Sequence, residues 1–484
     1  MTVAAEVERR ARPGLMVAVL CFAGAVSSYS QSVILLPIVG RLDEYLDTSA
    51  DNAAWVITAT LLVAAVALPT GGRLADLFGK RRVILVALGS LLLGSVIAAL
   101  SDSLAPLVVG RALQGVTLVV IPVGVSLLRD LLPPERVPGA IATMGAALGL
   151  GGAVGLPPAA WIPQQFDWHM LFWVSSVLAA LALLAVLTQI PESPRRSPGT
   201  VDVVGIIGLA IGLVCLLLVI SKGRVWGWGD PETIVTGVVG AVTLIAWAAY
   251  ELRRASPLVN LRLAARPTVL VTNLVSVLIG FTLLGMLLVS PWLMQVEMDQ
   301  TVLSSGLWVA PAGFAMLVMS PFSARLVTAF GARSTLRGGT AVMGLGYLFV
   351  IVWMDSPWQV MVGVTITFAG LGVAYAAMVG LIMASVPLGE TAAANGLNSL
   401  MRSIGTSTAS AVIIAVLAAS TVTLTADGGM HTVPSRSAFE LVYVIGAIAA
   451  VVGVALITAI PRVSSASGDP SEESSPTPTS GSRR

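Results

Sequence analysis

Charged side chains that border or interrupt long apolar runs are the candidates for chemistry in this chain. The segment GGRLADLFGKRRV (71–83) joins two such runs and places one carboxylate, Asp76, just before a turn and the basic cluster 80–82. A carboxylate there can pair with the basic cluster or accept hydrogen bonds at a helix N-terminus, where amides carry partial positive charge. Gly72 permits the close approach of such a helix. We therefore predict a contact between helices, called the latch below, formed by Gly72, Arg73, Asp76, Gly79 and Arg81.

A simpler reading of the same segment is a topogenic loop, held on the cytoplasmic side by positive charge and anionic lipid. This reading explains the basic cluster 80–82. It explains neither Asp76 nor the spacing of the glycines, so the latch is the favoured interpretation.

Two arginines, Arg111 and Arg402, lie inside apolar runs. A charge at the centre of a bilayer costs at least about 2.5–3.5 kcal/mol, so each guanidinium must face protein or water and find partners. Gln114 lies one helical turn beyond Arg111. Two interpretations stay open for this embedded-charge set: a proton-relay or substrate-anion site, and a structural hydrogen-bond anchor between helices.

Uncharged polar residues inside apolar runs are candidates for a substrate cavity. Such groups either join helices by hydrogen bonds or line a water-filled space. Because the first and ninth runs occupy equivalent positions in the repeat described below, we favour the cavity. The predicted cavity residues are Ser28, Tyr29, Gln31, Asn273 and Asn398.

The fifth apolar run carries glycines at close spacing, which gives it a surface nearly free of side chains. Tight packing of small residues is the plain interpretation, and sliding of this face against a second bundle is the sharper one. A dinucleotide-binding loop is excluded, because these glycines follow no strand. The predicted packing motif comprises Gly151, Gly155 and Pro157.

The composition sets the frame for these residues. The 484-residue chain is 56% hydrophobic and 11% charged, with a mean hydropathy of +0.91, whereas soluble domains carry about 25% charged residues. Apolar runs long enough to cross a bilayer recur throughout. We predict an all-α membrane protein with spans at 14–38, 52–74, 83–100, 105–128, 138–161, 169–190, 202–221, 233–250, 268–293, 303–325, 335–354, 358–386, 391–422 and 438–460.

Charge placement gives the topology. Most of the 27 Lys and Arg residues fall on one side of this span set, which the positive-inside rule assigns to the cytoplasm together with both termini. The loops are too short to hold a soluble domain, and no GxxxxGK[ST] motif is present, which argues against an enzyme or an ATP-driven pump. The two cysteines lie in apolar runs, so we expect neither a disulfide nor a metal site.

A faint internal repeat organises the spans. The segment ARLVTAFGAR (324–333) mirrors GRLADLFGKR (72–81), with Thr328 where Asp76 stands. Two related halves around a midplane cavity are typical of secondary transporters. The predicted division is a cytoplasmic tail at 1–13, a six-helix bundle at 14–190, two extra helices with linkers at 191–265, a second six-helix bundle at 266–461 and a disordered cytoplasmic tail at 462–484.

Five segments in this order resemble the major facilitator superfamily, specifically its fourteen-helix drug:proton antiporter branch. They are 55–58 (WVIT), 72–82 (GRLADLFGKRR), 110–115 (GRALQG), 251–258 (ELRRASPL) and 398–405 (NSLMRSIG). The resemblance implies the major facilitator fold, with two six-helix bundles and two linker helices. It also implies that the latch is a gate latch, in which Asp76 meets the start of the thirteenth span, near Thr391, when the cytoplasmic side is closed.

Two features depart from the family pattern. Ser28 stands where the first helix of the family usually carries an aspartate, and 155–160 (GLPPAA) moves the proline of the antiporter motif. Embedded carboxylates are the usual proton carriers, and the middle of the predicted spans contains none.

The functional expectation is a secondary transporter that exports small hydrophobic compounds across the bacterial cytoplasmic membrane by alternating access. The resemblance implies proton antiport as the driving force, with no bound cofactor. The expected partners are the substrate and membrane lipids, without nucleic acid, and a monomer as the working unit. Two alternatives stay open: a lipid or apolar-metabolite exporter with different ion coupling, and a non-transporting sensor or scaffold.

Overall fold

The structure is a computed structural model that describes residues 13–32, 46, 48–53, 55–194, 197–254, 256–426 and 429–460. Four expectations fall wholly or mainly on other residues: the N-terminal tail, the C-terminal tail, the last part of the first span (33–38) and the basic residues Arg195 and Arg196 of the 191–202 linker.

Fourteen long helices, labelled α1 to α14, follow one another in the described part of the chain. Their bounds agree with the predicted spans to within a few residues. They are Pro13–Ser32 (α1), Trp55–Phe78 (α2), Lys80–Ala99 (α3), Leu104–Leu131 (α4), Val137–Gln165 (α5), Met170–Gln189 (α6), Val203–Trp226 (α7), Pro231–Glu251 (α8), Pro267–Glu297 (α9), Val302–Phe330 (α10), Ala332–Val352 (α11), Pro357–Ser385 (α12), Thr391–Ala419 (α13) and Arg436–Thr458 (α14).

Length and composition make thirteen of these helices candidate membrane spans within the described residues. The other is α5, which has 29 residues, three internal prolines and a shorter apolar stretch at Val137–Gly151. The predicted succession of fourteen helices is confirmed, and thirteen of them are long and apolar enough to cross a membrane. Helix α4 is interrupted by one turn of 3-10 helix at Val116–Val119, and single-turn helices lie at Ala50–Ala53 and Leu261–Ala264.

A β-hairpin between α13 and α14 was not predicted. Helix α13 ends at Ala419, and strand β1 (Thr421–Ala426) pairs antiparallel with β2 (Gly429–Pro434). The predicted thirteenth span ran to residue 422, because the sequence TVTLTA is apolar on average. Its alternation of threonine with aliphatic residues, however, has the period of a strand.

Helix packing divides the molecule into two groups joined along a seam. Helix α1 packs on α5, and α3 packs on α4 and α6; in the second half α9 packs on α13 and α14, and α11 on α12 and α14. Across the seam, α5 contacts α10 and α12, while α2 contacts α13. The pair α7–α8 packs together, and α7 also contacts both α2 and α13.

The turns that join α2 to α3 and α10 to α11 have the same construction. Each consists of one glycine, Gly79 with φ 117° and Gly331 with φ 80°. Residues with a Cβ rarely adopt this region, whereas glycine does so at little cost. The two halves of the sequence repeat therefore share a turn as well as a sequence pattern.

Candidate functional site

Asp76 belongs to α2, and its carboxylate reaches across the seam to the start of α13. Its Oδ2 accepts a hydrogen bond from the amide of Ala393 at 2.9 Å, and its Oδ1 accepts a longer one from Ala392 at 3.4 Å. These amides belong to the first turn of α13, which has no intrahelical acceptors for them. Asp76, only 1% exposed, therefore stabilises the N-terminus of a helix in the other bundle.

Gly72 makes this contact sterically feasible. A Cβ added to Gly72 would lie 2.5 Å from the carbonyl oxygen of Ala392 and 2.9 Å from the Cα of Ala393. Backbone atoms at these distances cannot be displaced by a side-chain rotation. The close approach of α2 and α13 thus requires glycine at this position.

Lys80 is buried rather than solvated, in contrast to the reading of the basic cluster as a topogenic loop. Its Nζ pairs with the carboxylate of Asp130 at the end of α4 and lies 3.7 Å from Oδ1 of Asp76. The hydroxyl of Ser193 also donates to Asp130, at 2.6 Å. Lys80 therefore links the Asp76 carboxylate to a second acid that sequence reasoning missed, because 50 residues separate Lys80 from Asp130.

The linker between α6 and α7 runs beneath the same end of the molecule. Glu192 accepts hydrogen bonds from the amides of Arg81 (3.0 Å) and Arg82 (3.3 Å) and so caps α3. The amide of Ser197 donates to the carbonyl of Asp76 at 2.8 Å, while its hydroxyl donates to the carbonyl of Gly389, just before α13. The linker therefore bonds to both sides of the seam.

The remaining latch residues contribute to this end in different ways. Arg81 donates from Nη2 to the carbonyl of Leu187 at 2.7 Å. Arg73 is buried close to Gly199, and a Cβ on Gly199 would lie 2.9 Å from Nη2 of Arg73. Ser126 of α4 and Thr391 of α13 share a hydrogen bond across the seam.

Arg111 is fully enclosed and bonds to neutral groups. Its Nη1 donates to the carbonyl of Ser30 (3.1 Å) and to Oε1 of Gln114 (2.5 Å), and its Nε donates to the carbonyl of Val56 (3.3 Å). Gln114 in turn donates to Ser95 of α3 at 2.8 Å. One guanidinium thereby connects α1, α2 and α4, which is the geometry of a structural anchor.

Replacing Arg111 with methionine is expected to destabilise the fold by about 2–3 kcal/mol, because it leaves buried acceptors on Ser30, Val56 and Gln114 without their donor. Thermal unfolding of the purified protein in detergent measures this effect. Arg325→Met, at an exposed position, is the control and should melt like the parent. Unchanged melting of Arg111→Met with lost transport would instead favour the relay or substrate-anion role.

The predicted cavity residues of α1 lie within the first bundle. Tyr29 is buried in an apolar cluster that includes Val56, Leu107 and Phe172. Gln31 donates to the carbonyl of Gln114 at 3.4 Å. Ser28, half-buried, lies where α1 meets Gly151 of α5.

Asn273 and Asn398, the predicted cavity residues of the second bundle, pair with each other. Nδ2 of Asn398 donates to Oδ1 of Asn273 at 3.0 Å, and the hydroxyl of Ser276 donates to the carbonyl of Asn398 at 3.1 Å. The predicted cavity set therefore forms two groups, one in each bundle, and each group bonds within its own bundle.

Arg402 lies on α13 with its guanidinium over the ring of Tyr375, 5.1 Å from the centroid. Its Nη2 makes a long hydrogen bond of 3.4 Å to the hydroxyl of Ser399. The sequence placed Arg402 and Arg111 in one class, but the structure gives them different surroundings.

The glycines of α5 serve two different contacts. A Cβ on Gly145 would lie 2.5 Å from Tyr375 of α12, and one on Gly149 would lie 2.7 Å from Met316 of α10, so both face the other bundle. Gly151 instead faces α1 at Ser28. Two further members of the predicted motif are Gly155, which is buried, and Pro157, which is half-buried within the continuous helix.

Sequence comparison identifies the family. The profile of the Major Facilitator Superfamily matches residues 20–410. The chain belongs to the major facilitator superfamily. The resemblance inferred from the motifs is thus confirmed, and the chain is a multi-pass membrane transport protein and not an enzyme.

Several curated relatives of this superfamily member are named for drug resistance. The tetracenomycin C resistance and export protein of Streptomyces glaucescens is 29% identical over 78% of this chain and 71% of its own length. The multidrug resistance protein Stp of Mycobacterium tuberculosis is 26% identical over 76% and 69%. The lincomycin resistance protein LmrB of Bacillus subtilis is 26% identical over 70% of each chain.

A solved structure supports the fold. The human organic anion transporter MFSD10 superposes with a TM-score of 0.66 over 92% of this chain and 99% of its own, at 16% identity. At that identity the match bears on the fold alone. It confirms the predicted major facilitator architecture.

Proposed function

We propose that this chain exports small hydrophobic compounds, drug-like or antibiotic, across the bacterial cytoplasmic membrane by alternating access. The observation that carries the proposal is the contact between Asp76 of the first bundle and the N-terminus of α13 in the second. A transporter needs a contact between bundles that can form and break. The resistance exporters among its relatives support the substrate class.

In this proposal, the closed contact between α2 and α13 corresponds to the state in which the cytoplasmic side is closed. Opening that side requires α2 to separate from α13, which breaks the bonds of Asp76 to α13, the Ser126–Thr391 pair and at least one of the two bonds of Ser197. Hydrogen bonds to charged groups contribute about 1.5–3 kcal/mol each, so Asp76 is the strongest single acceptor in this set. Contacts formed on the outer side and by bound substrate must offset its loss.

Proton antiport is the proposed driving force. Within the described residues no Asp or Glu lies in the middle of a spanning helix, whereas Asp76 and Asp130 are buried at the seam with Lys80 between them. A proton on Asp76 would remove its charge and weaken its bonds to α13. Protonation of Asp76 or Asp130 would thereby favour opening to the cytoplasm, and the proton would be released there.

In inverted membrane vesicles with an acidic interior, we expect accumulation of a fluorescent hydrophobic dye at least fivefold faster than in vesicles without a pH gradient. The cytoplasmic face is outside in such vesicles, so protons leave as dye enters. A protonophore should abolish the difference, and vesicles lacking the protein are the control. Transport indifferent to the gradient contradicts proton coupling, and no transport of any compound in a broad panel contradicts export itself.

A lipid or apolar-metabolite exporter is the second candidate, and the absence of a mid-span carboxylate from the described helices favours it. Transfer of a labelled lipid without drug transport would favour this second candidate.

A sensor or scaffold would need neither a latch nor buried polar groups at the seam. We further propose that both termini lie in the cytoplasm and that a monomer is the working unit.

A further inference from the structure

Arg402 has hydrogen-bonding capacity that the protein leaves unused. Its Nη1 is buried without a hydrogen-bond partner among the described residues, and its Nη2 reaches only the distant hydroxyl of Ser399. Arg111, the other embedded arginine, donates to three acceptors at 2.5–3.3 Å. A guanidinium that is held in place but only partly bonded is the arrangement expected of a binding group.

A second group with the same property lies on the same face of α13. The side chain of Asn395 is 3% exposed, and neither its Oδ1 nor its Nδ2 has a partner in the described part of the chain. Asn395, Ser399 and Arg402 are spaced four and three residues apart, so they form one stripe along the helix. At about 1.5 Å per residue, the stripe extends roughly 10 Å.

This stripe lies next to the seam. Tyr375, which supports the guanidinium through its ring, packs directly against Gly145 of α5 in the opposite bundle. At its other end, Asn395 follows within one turn of Ala392 and Ala393, the residues bound by Asp76. A compound that passes between the bundles therefore meets this stripe when the seam opens.

The charges of the spans give the sign of the ligand. Arg111 and Arg402 are the charged residues deep within the described helices, and no carboxylate accompanies them. In a medium of low dielectric constant a cation is repelled by such a site, whereas an anion is attracted strongly. The amide of Asn395 adds a donor suited to the same group.

We propose that Arg402 and Asn395 form a subsite for the acidic group, a carboxylate or phenolate, of a hydrophobic aromatic substrate. The guanidinium binds the anionic oxygens, the Asn395 amide donates to the same group or to a neighbouring oxygen, and Tyr375 holds the guanidinium by a cation–π contact. The inference rests on the proposed export function and narrows it, because it makes organic anions preferred over cations.

The test compares two probes of one shape, 1-pyrenebutyrate and its uncharged amide, 1-pyrenebutyramide. Equilibrium binding to the purified protein in lipid nanodiscs should be at least tenfold tighter for the carboxylate. Arg402→Gln should reduce this preference to less than threefold while amide binding changes less than twofold. Arg402→Lys should retain part of the preference, since it keeps the charge but loses the fork of donors.

Several outcomes overturn the proposal. The first is equal affinity of the parent protein for both probes, a result that can be obtained without any variant. The second is an equal loss of affinity for both probes in Arg402→Gln. Asn395→Leu provides an independent variant if Arg402→Gln fails to fold, and it should weaken only carboxylate binding. If neutral dyes are exported but the carboxylate is not preferred in binding, the subsite proposal fails and the export proposal stands. If the carboxylate is preferred but the protein transports no compound, the export proposal fails and the subsite proposal stands.

Discussion

Asp76→Asn is expected to lower the maximal rate of dye export at least tenfold, with little change in the dye concentration that gives half-maximal rate. The substitution removes the charge from two hydrogen bonds to the first turn of α13, at Ala392 and Ala393. Asparagine has one acceptor oxygen and no charge, so at least one of the two charged bonds is lost, which weakens the closed state by about 1.5–3 kcal/mol. Since 1.4 kcal/mol is tenfold, the closed state is depopulated and turnover slows. Initial rates in the inverted vesicles measure this.

Thr328 offers a matched control for Asp76, because it occupies the equivalent place in the repeat. It is exposed, and its hydroxyl donates to the carbonyl of Arg325 in its own helix. Thr328→Val should therefore leave the export rate within twofold of the parent. If Asp76→Asn and Thr328→Val transport equally well, the latch role of Asp76 is wrong.

Gly72→Ala should have the second large effect, a fall of at least tenfold in export rate. The added Cβ would lie 2.5 Å from the Ala392 carbonyl oxygen, so α2 and α13 must separate at this end. Separation lengthens the hydrogen bonds of Asp76 without altering any charge. Gly72→Ala and Asp76→Asn should therefore not be additive, because both remove the same contact. Export rates of the two single variants and the double variant measure this.

Gly89→Ala is the control for the effect of alanine in place of a helical glycine. Gly89 lies in α3, and a Cβ there would have no heavy atom within 4 Å. Alanine also favours helix more than glycine does, so this variant should be at least as stable as the parent. Full activity in Gly72→Ala would show that the seam does not close as tightly as the structure indicates.

Hydropathy predicted the fold well because the bilayer imposes a length on each helix. The span set follows from runs of about 20 apolar residues, and the helices found match it closely. The hairpin formed by β1 and β2 was missed, since mean hydropathy does not distinguish a strand from a helix. The single-glycine turns at Gly79 and Gly331 could be located from sequence, but their positive φ could not.

The site was less accessible to sequence reasoning, because its contacts join residues far apart in the chain. Asp76 was singled out as an isolated carboxylate, yet its bonds to α13 span 316 and 317 residues. Asp130 carried no signal of its own at the end of an apolar helix. Arg111 and Arg402 looked alike in sequence, and only their neighbours distinguish a bonded anchor from a partly bonded guanidinium.

The two ends of the repeat differ in chemistry although they share a turn. The first half has an acid, a lysine and a second acid buried together at the seam, whereas the second half has an exposed threonine. We infer that control of the cytoplasmic side rests on Asp76 and its partners and not on the equivalent turn of the second half.

The distance between the latch ends of α2 and α13 tests this account most directly. Spin labels can be attached at Phe78→Cys and Leu388→Cys, because these side chains are 50% and 45% exposed in the parent. Cys21→Ser and Cys215→Ser first remove the two native thiols. Double electron–electron resonance in nanodiscs then measures the distance between the labels. A single short distance should dominate in the parent background, and Asp76→Asn should add a substantial longer-distance population. Identical distance distributions with and without Asp76→Asn would contradict the proposal that Asp76 holds the cytoplasmic side closed.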